Sequence, residues 1–344
     1  MRALLGCALL LLLAGCSSPS SAAPTAAPTR EPGTIAITAL LDLSGPRAAI
    51  GTAQRNALQL WSDDQQSAKR LKVRWKAVDV AASEARTIIE LRRASAEDAA
   101  DAVIVGAQLA SFSETLVGAV ELAGLPVLLT LPAPGPPVSG GRWLFALAPQ
   151  PDRVDALISA DLARRGIIDP VRLAPRDADS LRSPAELADV RAVRLTGAPK
   201  EYPQLGELLK KVTVQPAVYG SYLTGPNDLG DLRDLNTLWP GSRYVTADAD
   251  RSVARRNFVK AYGDRHGAPG TWAATAYDAL TIITAAAERS ATLTHESLRD
   301  RLEETSLVGI ATSYVFSRST HTGALAEDFV LLRWGGNAAN ASVP

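Results

Sequence analysis

The stretch "DAVIVGAQLASFSETLVGAVELAGLPVLLTLPAP", residues 101–134, decides the fold. Residues 102–105 form an unbroken apolar run of strand length, and Gly106 ends it. "AQLAS" is a connection, residues 115–123 repeat apolar positions at helical spacing, and "LPVLLT" is a strand again. A helix start next to a strand end presents free N–H groups that favour an anion. Ser111-Phe112-Ser113-Glu114 equally fits the capping box S-x-x-E. In that reading Ser111 caps the helix, and Glu114 sets a carboxylate beside the same amides. Both readings, anion site and capped helix, stay open from these residues alone.

The same rhythm extends in both directions. Residues 34–41 ("TIAITALL") read as a buried strand. Ala53, Ala57, Leu58, Leu60 and Trp61 come next at helical spacing, "LKVRWKAVDV" alternates as a strand, and Ile88, Ile89 and Leu91 mark another helix. Beyond residue 149 a second series begins. Helices are expected at 154–166, 205–212 and 229–238, and strands at 171–174, 190–195, 217–219 and 244–246. The tail "TSYVFSRSTHTGALAEDFVLLRW" predicts a hairpin turning at Thr322-Gly323. Alternating strands and helices specify an α/β fold, parallel sheets with helices on both faces, and two series specify two lobes. Between Arg172 and Arg194 the second series is short of helix.

The start of the chain reads differently. Met1 and Arg2 precede the apolar run "ALLGCALLLLLAG", which is short for a bilayer span. Its end, Leu13-Ala14-Gly15-Cys16, resembles a bacterial lipobox. That resemblance implies cleavage before Cys16 and a lipid on its thiol. Residues 17–33 ("SSPSSAAPTAAPTREPG") have the composition of a disordered, partly polyproline tether. The expected division is 1–15 signal peptide, 16–33 tether, 34–148 plus 251–310 lobe one, and 149–250 plus 311–344 lobe two. Crossings between lobes are expected near 148–151, 247–251 and 310–313.

The chain has 36 basic and 36 acidic residues, a net charge of zero, and two cysteines. Balanced charge offers nothing that would draw a nucleic acid. With Cys7 removed, Cys16 is the one cysteine left and no internal disulfide can form. His266, His295 and His321 are scattered without metal-ligand spacing. No G-x-S-x-G elbow or phosphate loop occurs. Neither an enzyme nor a cofactor or metal is indicated.

Six segments, in order, resemble type I periplasmic solute-binding proteins, the branched-chain amino-acid receptor group. They are "ITALLDLSGPRAAIGTAQRNALQLW", "AVDVAASEARTIIELRRA" with its strand-end Asp79, "DAVIVGAQLAS", "RWLFALAPQPDRVDALISADLARRG", "EYPQLGELLKKVTVQPAVYGSY" and "NFVKAYGDRHGAPGTWAATAYDALTIITAAAERS". The resemblance they mark runs in order along nearly all of residues 34–334. The resemblance implies two lobes joined by three crossings, with a ligand cleft between them. It puts the carboxylate-binding Ser at Ser111, flanked by Ala110 and Phe112, with Thr130 at the end of the next strand. Pro134 stands where the family often has Thr, and it offers neither hydroxyl nor N–H. Ser44 falls at the cleft mouth, as a ligand contact or a simple turn with Pro46. Tyr222 matches a cleft aromatic, or is a core tyrosine. Asp248 matches the ammonium partner, with Asp250 as its rival, or is a solvated loop residue. Tyr277 and Asp278 match a structural late-helix signature.

The function implied is a lipid-anchored extracytoplasmic receptor delivering a small polar solute to an ABC permease, with neither cofactor nor nucleic-acid partner. A second expectation keeps the fold but drops transport, as in lipoproteins that regulate cell-wall synthases by protein contact. Glu114, Pro134 and the short second lobe favour it. Ser17 after the lipidated Cys does too in a Gram-negative cell, where it permits sorting to the outer membrane.

Overall fold

The computed structural model describes residues 33–109, 113–133, 141–235, 237–246, 252–336 and 339–341. Strand β1 (Thr34–Leu41) lies between β2 (Lys72–Asp79) and β3 (Ala102–Gly106), and β4 (Val127–Leu129) and β5 (Leu144–Ala146) extend the sheet beyond β3. All its pairings are parallel. Burial tracks position: β3 is buried throughout, whereas β2, at the edge, exposes Lys72 and Arg74 on either side of buried Val73. Along β1 the period of two sends Ile35, Ile37, Ala39 and Leu41 to one face and Leu40 to the other.

Helices α1 (Ala48–Gln65), α7 (Val253–His266), α8 (Thr271–Arg289) and α9 (His295–Glu303) cover the first face. The other is covered by α2 (Glu84–Ala96) and α3 (Glu114–Ala123). α8 is apolar nearly all round and alanine-rich, as a helix buried on most sides must be. Its small residues admit α1 closely, and Trp61 Nε1 donates to Thr281 Oγ1 at 3.0 Å.

The second sheet runs β13-β12-β9-β8-β7-β6. Strands β6 (Val171–Leu173), β7 (Ala192–Leu195), β8 (Ala217–Tyr219) and β9 (Leu238–Ser242) are parallel. β12 (Phe329–Trp334) runs antiparallel to β9, and β13 (Ala339–Ala341) antiparallel to β12. α4 (Pro151–Arg164) packs on β9 and β12. Between β6 and β7 there is only α5 (Pro175–Ala178) and a 3₁₀ turn, Pro184–Leu187; α6 (Leu205–Lys210) is also short. Pro175 and Pro184 each open a turn that the next residues do not extend.

Four expectations change. Residues 230–235 form a 3₁₀ helix, and the strand after it is Leu238–Ser242 rather than 244–246, which is a 3₁₀ turn, Arg243–Val245. Pro240 and Gly241 are residues that ordinarily disfavour a strand, yet both lie in the β9–β12 ladder. Gly241 belongs there because a Cβ would stand 2.5 Å from Thr271 Oγ1 and 2.6 Å from Leu332 Cδ1. The tail does fold back antiparallel, but the turn is at Arg318-Ser319, between bridged Ser317 and Thr320, not at Thr322-Gly323, and a further hairpin pairs β10 (Ser306–Val308) with β11 (Ser313–Val315) and turns at Gly309–Thr312. Gly323 N instead donates to Ala146 O, at β5. Tyr314 and Phe316 join the core of the first lobe, so the last crossing falls after Ala324 and before β12, not at 310–313. Finally, Ile89 is exposed, and Thr87, Leu91 and Ala94 form the buried face of α2. The first crossing is the link from β5 to α4. The second expected crossing, 247–251, and the leader and tether, 1–32, lie outside the described residues.

Candidate functional site

Strands of the first sheet end at one edge, and the loops leaving those ends build one wall of the interlobe region. Asp42 comes directly after β1 and is almost fully buried. Its Oδ1 accepts from Ala82 N at 2.6 Å and its Oδ2 from Gln108 N at 2.9 Å, tying three loops together. Burial pushes the Asp42 carboxyl up, against those two hydrogen bonds and the charge of Arg47. Gly51 in the first turn of α1 permits this arrangement, because a Cβ there would stand 1.9 Å from Asp42 O.

Asp79, at the end of β2, accepts from Leu43 N at 2.9 Å and Ala81 N at 3.0 Å. Burial pulls its carboxyl upward, but hydrogen bonds from Ser44, Leu43 and Ala81 outweigh that and hold it below its ordinary value. Ser44 is therefore an exposed residue whose hydroxyl engages Asp79. Behind β3 and β4, fully buried Gln54 donates to Gly106 O at 3.1 Å and accepts from Thr130 Oγ1 at 2.7 Å. Thr130 sits at the expected strand end, but its hydroxyl faces inward to Gln54.

The start of α3 differs from the capping box expected. Ser113, not Ser111, is the N-cap, its Oγ accepting from Leu116 N at 3.1 Å. The Ser113 hydroxyl in turn donates to Glu84, the first residue of α2. Exposed Glu114 is the first residue of α3, so two carboxylates stand near these helix starts. Ala110, Ser111, Phe112, Pro134, Asp248 and Asp250 lie outside the described residues.

The facing wall comes from the second lobe. Tyr222, half-buried after β8, meets lobe one directly: Gln108 Nε2 lies 3.4 Å from its hydroxyl. Desolvation raises the Tyr222 phenol above its ordinary value. The indole N–H of Trp272 donates to Tyr222 O, and the two rings meet edge-on with centroids 6.4 Å apart. At the mouth, Arg47 Nε stands 3.8 Å from Glu201 Oε1. Beneath these polar contacts an apolar cluster of Ile50, Leu131, Ala148, Leu223, Trp272 and Phe329 joins the lobes.

Of the expected site residues that are described, Tyr222 contacts the other lobe, Ser44 engages Asp79, and Thr130 is buried against Gln54. Sequence reading missed Asp42, Gln54, Gln108, Arg47 and Glu201. Gln54 left a trace, being a polar residue on the face that carries Ala57, Leu58 and Trp61. Gln108 carries the most chemistry. Its amide N–H binds lobe one, its side-chain N–H₂ reaches lobe two, and its Oε1 is buried without a partner among the described residues. Among the described residues no group of His, Cys, Asp and Glu is arranged to hold a metal. His321 is structural, stacked on Phe145 at 4.2 Å with its Nδ1 at 3.0 Å from Leu144 O.

A family model described as "Periplasmic binding protein" matches residues 168–339. No curated protein sequence matches the chain. Among solved structures, the branched-chain amino acid transporter substrate binding protein LivJ from Streptococcus pneumoniae, in complex with isoleucine, superposes with a TM-score of 0.74. It is 17% identical and covers 90% of this chain and 100% of its own. The leucine binding protein LivK from Thermotoga maritima gives 0.72 at 13% identity, covering 90% and 98%. An extracellular ligand-binding receptor from Rhodopseudomonas palustris gives 0.72 at 15% identity, covering 90% and 99%. At these identities the likeness is one of fold, the two-lobed type I architecture. No helix among the described residues is long and apolar enough to cross a membrane. The match over half the chain, with this fold beneath it, makes the chain a member of the periplasmic binding protein family, whose members are extracytoplasmic solute-binding receptors and not enzymes.

Proposed function

We propose that the chain is the receptor of an ABC importer, tethered to a bacterial membrane through a lipid on Cys16, and that it holds a small polar, amino-acid-like solute between its lobes. The observation that carries this reading is Gln108, which links Asp42 in lobe one to Tyr222 in lobe two and whose carbonyl oxygen has no partner among the described residues. A solute that bridges that oxygen in lobe one to Tyr222 in lobe two makes both contacts only when the lobes meet, and such differential contact is what shifts a two-lobed protein to its closed state. Ser44, Ala110, Ser111, Phe112 and Thr130 on one side, and Tyr222 and Asp248 on the other, remain the proposed ligand neighbourhood. The solved relative LivJ holds isoleucine; for this chain the two carboxylates near the α2 and α3 starts favour a less anionic guest, such as an amide.

A thermal-shift screen of amino acids, their amides and sugars tests the proposal. Amides should raise the melting temperature more than the free acids, and Glu114→Gln should narrow the gap by relieving repulsion. A screen in which no solute stabilises the protein would overturn the receptor reading.

One observation favours the second reading, a lipoprotein acting by protein contact. The apolar cluster of Ile50, Leu131, Leu223, Trp272 and Phe329 already joins the lobes, and the second lobe has little helix. Under that reading cross-linking in cells captures a cell-wall synthase and no solute binds.

A further inference from the structure

The chain has no net charge, but its charge is unevenly placed. The stretch "KRLKVRWK", residues 69–76, holds Lys69, Arg70, Lys72, Arg74 and Lys76. β2 carries the last three. Its period of two turns Val73 and Trp75 to the core and sets Lys72, Arg74 and Lys76 on the opposite face, about 13 Å from first to last. All three are exposed. α2 leaves this corner of the sheet open, as a depression of about 280 Å³ beside Arg74, Lys76 and Thr38 shows. Lys69 and Arg70 lie in the loop leading into the strand. Two acids answer the tract: Asp98 pairs with Lys76, and Glu288 accepts from Arg70 N at 2.8 Å. Among the described residues Lys69, Lys72 and Arg74 make no ion pair.

The tract lies where the chain enters the fold. β1 starts at Thr34, opposite Lys72, and Lys72 N donates to Gly33 O at 2.9 Å. Residues 17–33 span at most about 60 Å, so a lipid on Cys16 would keep these cations close to lipid headgroups. The far end of the same strand is acidic. Asp79 closes β2 and Asp42 follows β1, both at the interlobe edge. Charge thus changes sign along β2, basic at the chain entry and acidic at the cleft. Lysines on an edge strand also deter pairing with another sheet, but Lys69 and Arg70 stand outside the strand. We propose that residues 69–76 are a docking surface for an anionic phospholipid bilayer, on which lobe one lies with its interlobe edge turned away. The proposal rests on the reading of Cys16 as the lipid anchor, which confines the tract to the bilayer. Each cation at such a surface raises partition roughly fivefold, about 1 kcal/mol. A few of them hold a free domain only weakly, and a tether makes the contact intramolecular. Docked in this way, the receptor keeps its cleft open to solvent.

Flotation of the full chain carrying Cys16→Ala, which bears no lipid, tests this on two kinds of vesicle: phosphatidylcholine alone, and phosphatidylcholine mixed equally with phosphatidylglycerol. The apolar run at residues 3–15 adheres to both, so the difference between them reads charge. Cys16→Ala should prefer the anionic vesicles and lose that preference in high salt. Adding Lys69→Gln, Lys72→Gln and Arg74→Gln together should lower partition onto the anionic vesicles about a hundredfold. Adding Arg176→Gln, Lys211→Gln and Arg318→Gln instead, an equal loss of charge at exposed positions elsewhere, should leave it within about twofold. If the strand substitutions make chains associate, Lys69→Gln with Arg70→Gln replaces them, with an expected loss of roughly twentyfold. No preference for the anionic vesicles, or equal partition of the tract variant and the reference variant, would overturn the proposal. The anchor is judged separately, since a wild type without lipid would refute it and leave vesicle binding by Cys16→Ala as it is.

Discussion

At the scale of single residues, a few buried polar side chains hold the interlobe edge in place. Gln54 satisfies Gly106 O and Thr130 Oγ1 at once. Gln54→Leu leaves both without that partner in the interior. It should lower stability by about 1–3 kcal/mol, read from urea unfolding. Asp278 plays a comparable part at the β10–β11 hairpin. Ile310 N, Ala311 N and the Tyr314 hydroxyl donate to it at 2.7–2.9 Å, with Arg255 and Tyr277 as charged or titratable neighbours. Burial nonetheless pushes its carboxyl up to about 7, from an ordinary 3.8. A folded-state value above the unfolded one means that the native state binds the extra proton. Its share of stability is therefore complete at low pH and is lost as pH rises from about 4 through about 7. Asp228, raised to about 6, adds in the same direction. The melting temperature should fall between pH 5 and pH 8, and Asp278→Asn should flatten that fall; an equal slope in the variant would assign it to other groups. Little of this is visible in the sequence. Asp278 is recognisable there as a structural residue, whereas the pairings of Asp42, Gln54 and Gln108 join loops far apart along the chain.

At the scale of elements, the first lobe is legible in the sequence and the second only partly so. β1 and β8 fall where their apolar runs lie, and α1 and α3 where helical spacing begins, because long buried elements print their period on the sequence. Elements of three to six residues leave no such period. β9 hides behind Pro240-Gly241, whose meaning comes from Leu332 and Thr271 across the packing, not from neighbours in the chain. The α3 cap shows the same limit at closer range. Two serines, Ser111 and Ser113, compete for it in sequence, and the helix begins after the second. Ser113→Ala should therefore cost about 1 kcal/mol in stability. Ser111→Ala should leave stability nearly unchanged, while affecting solute binding if the Ser111 turn lines the cleft. A loss of stability in Ser111→Ala as large as that in Ser113→Ala would contradict the assigned cap.

At the scale of the molecule, the contacts between the lobes include the Gln108–Tyr222, Asn227–Ala268 and Ser242–Thr271 hydrogen bonds, the Arg47–Glu201 pair and the apolar cluster around Trp272. Arg47 and Glu201 are partly exposed, so their pair contributes at most about 1 kcal/mol and weakens with salt. Apolar burial in the cluster stabilises the joint. The anchoring proposal belongs to this scale as well. Fractionation should place wild type with membranes and Cys16→Ala in the soluble fraction, and an unmodified soluble wild type would refute the lipid. The central claim is that a solute binds between the lobes through Gln108 and Tyr222. Calorimetric titration of the best ligand from the amino-acid and amide panel tests it most directly, on wild type, Gln108→Ala, Tyr222→Phe and the double variant. Each single change should weaken binding about tenfold. The double variant should lose less than the product of the two, because the residues form one contact. Tight binding that survives both substitutions unchanged would place the solute elsewhere.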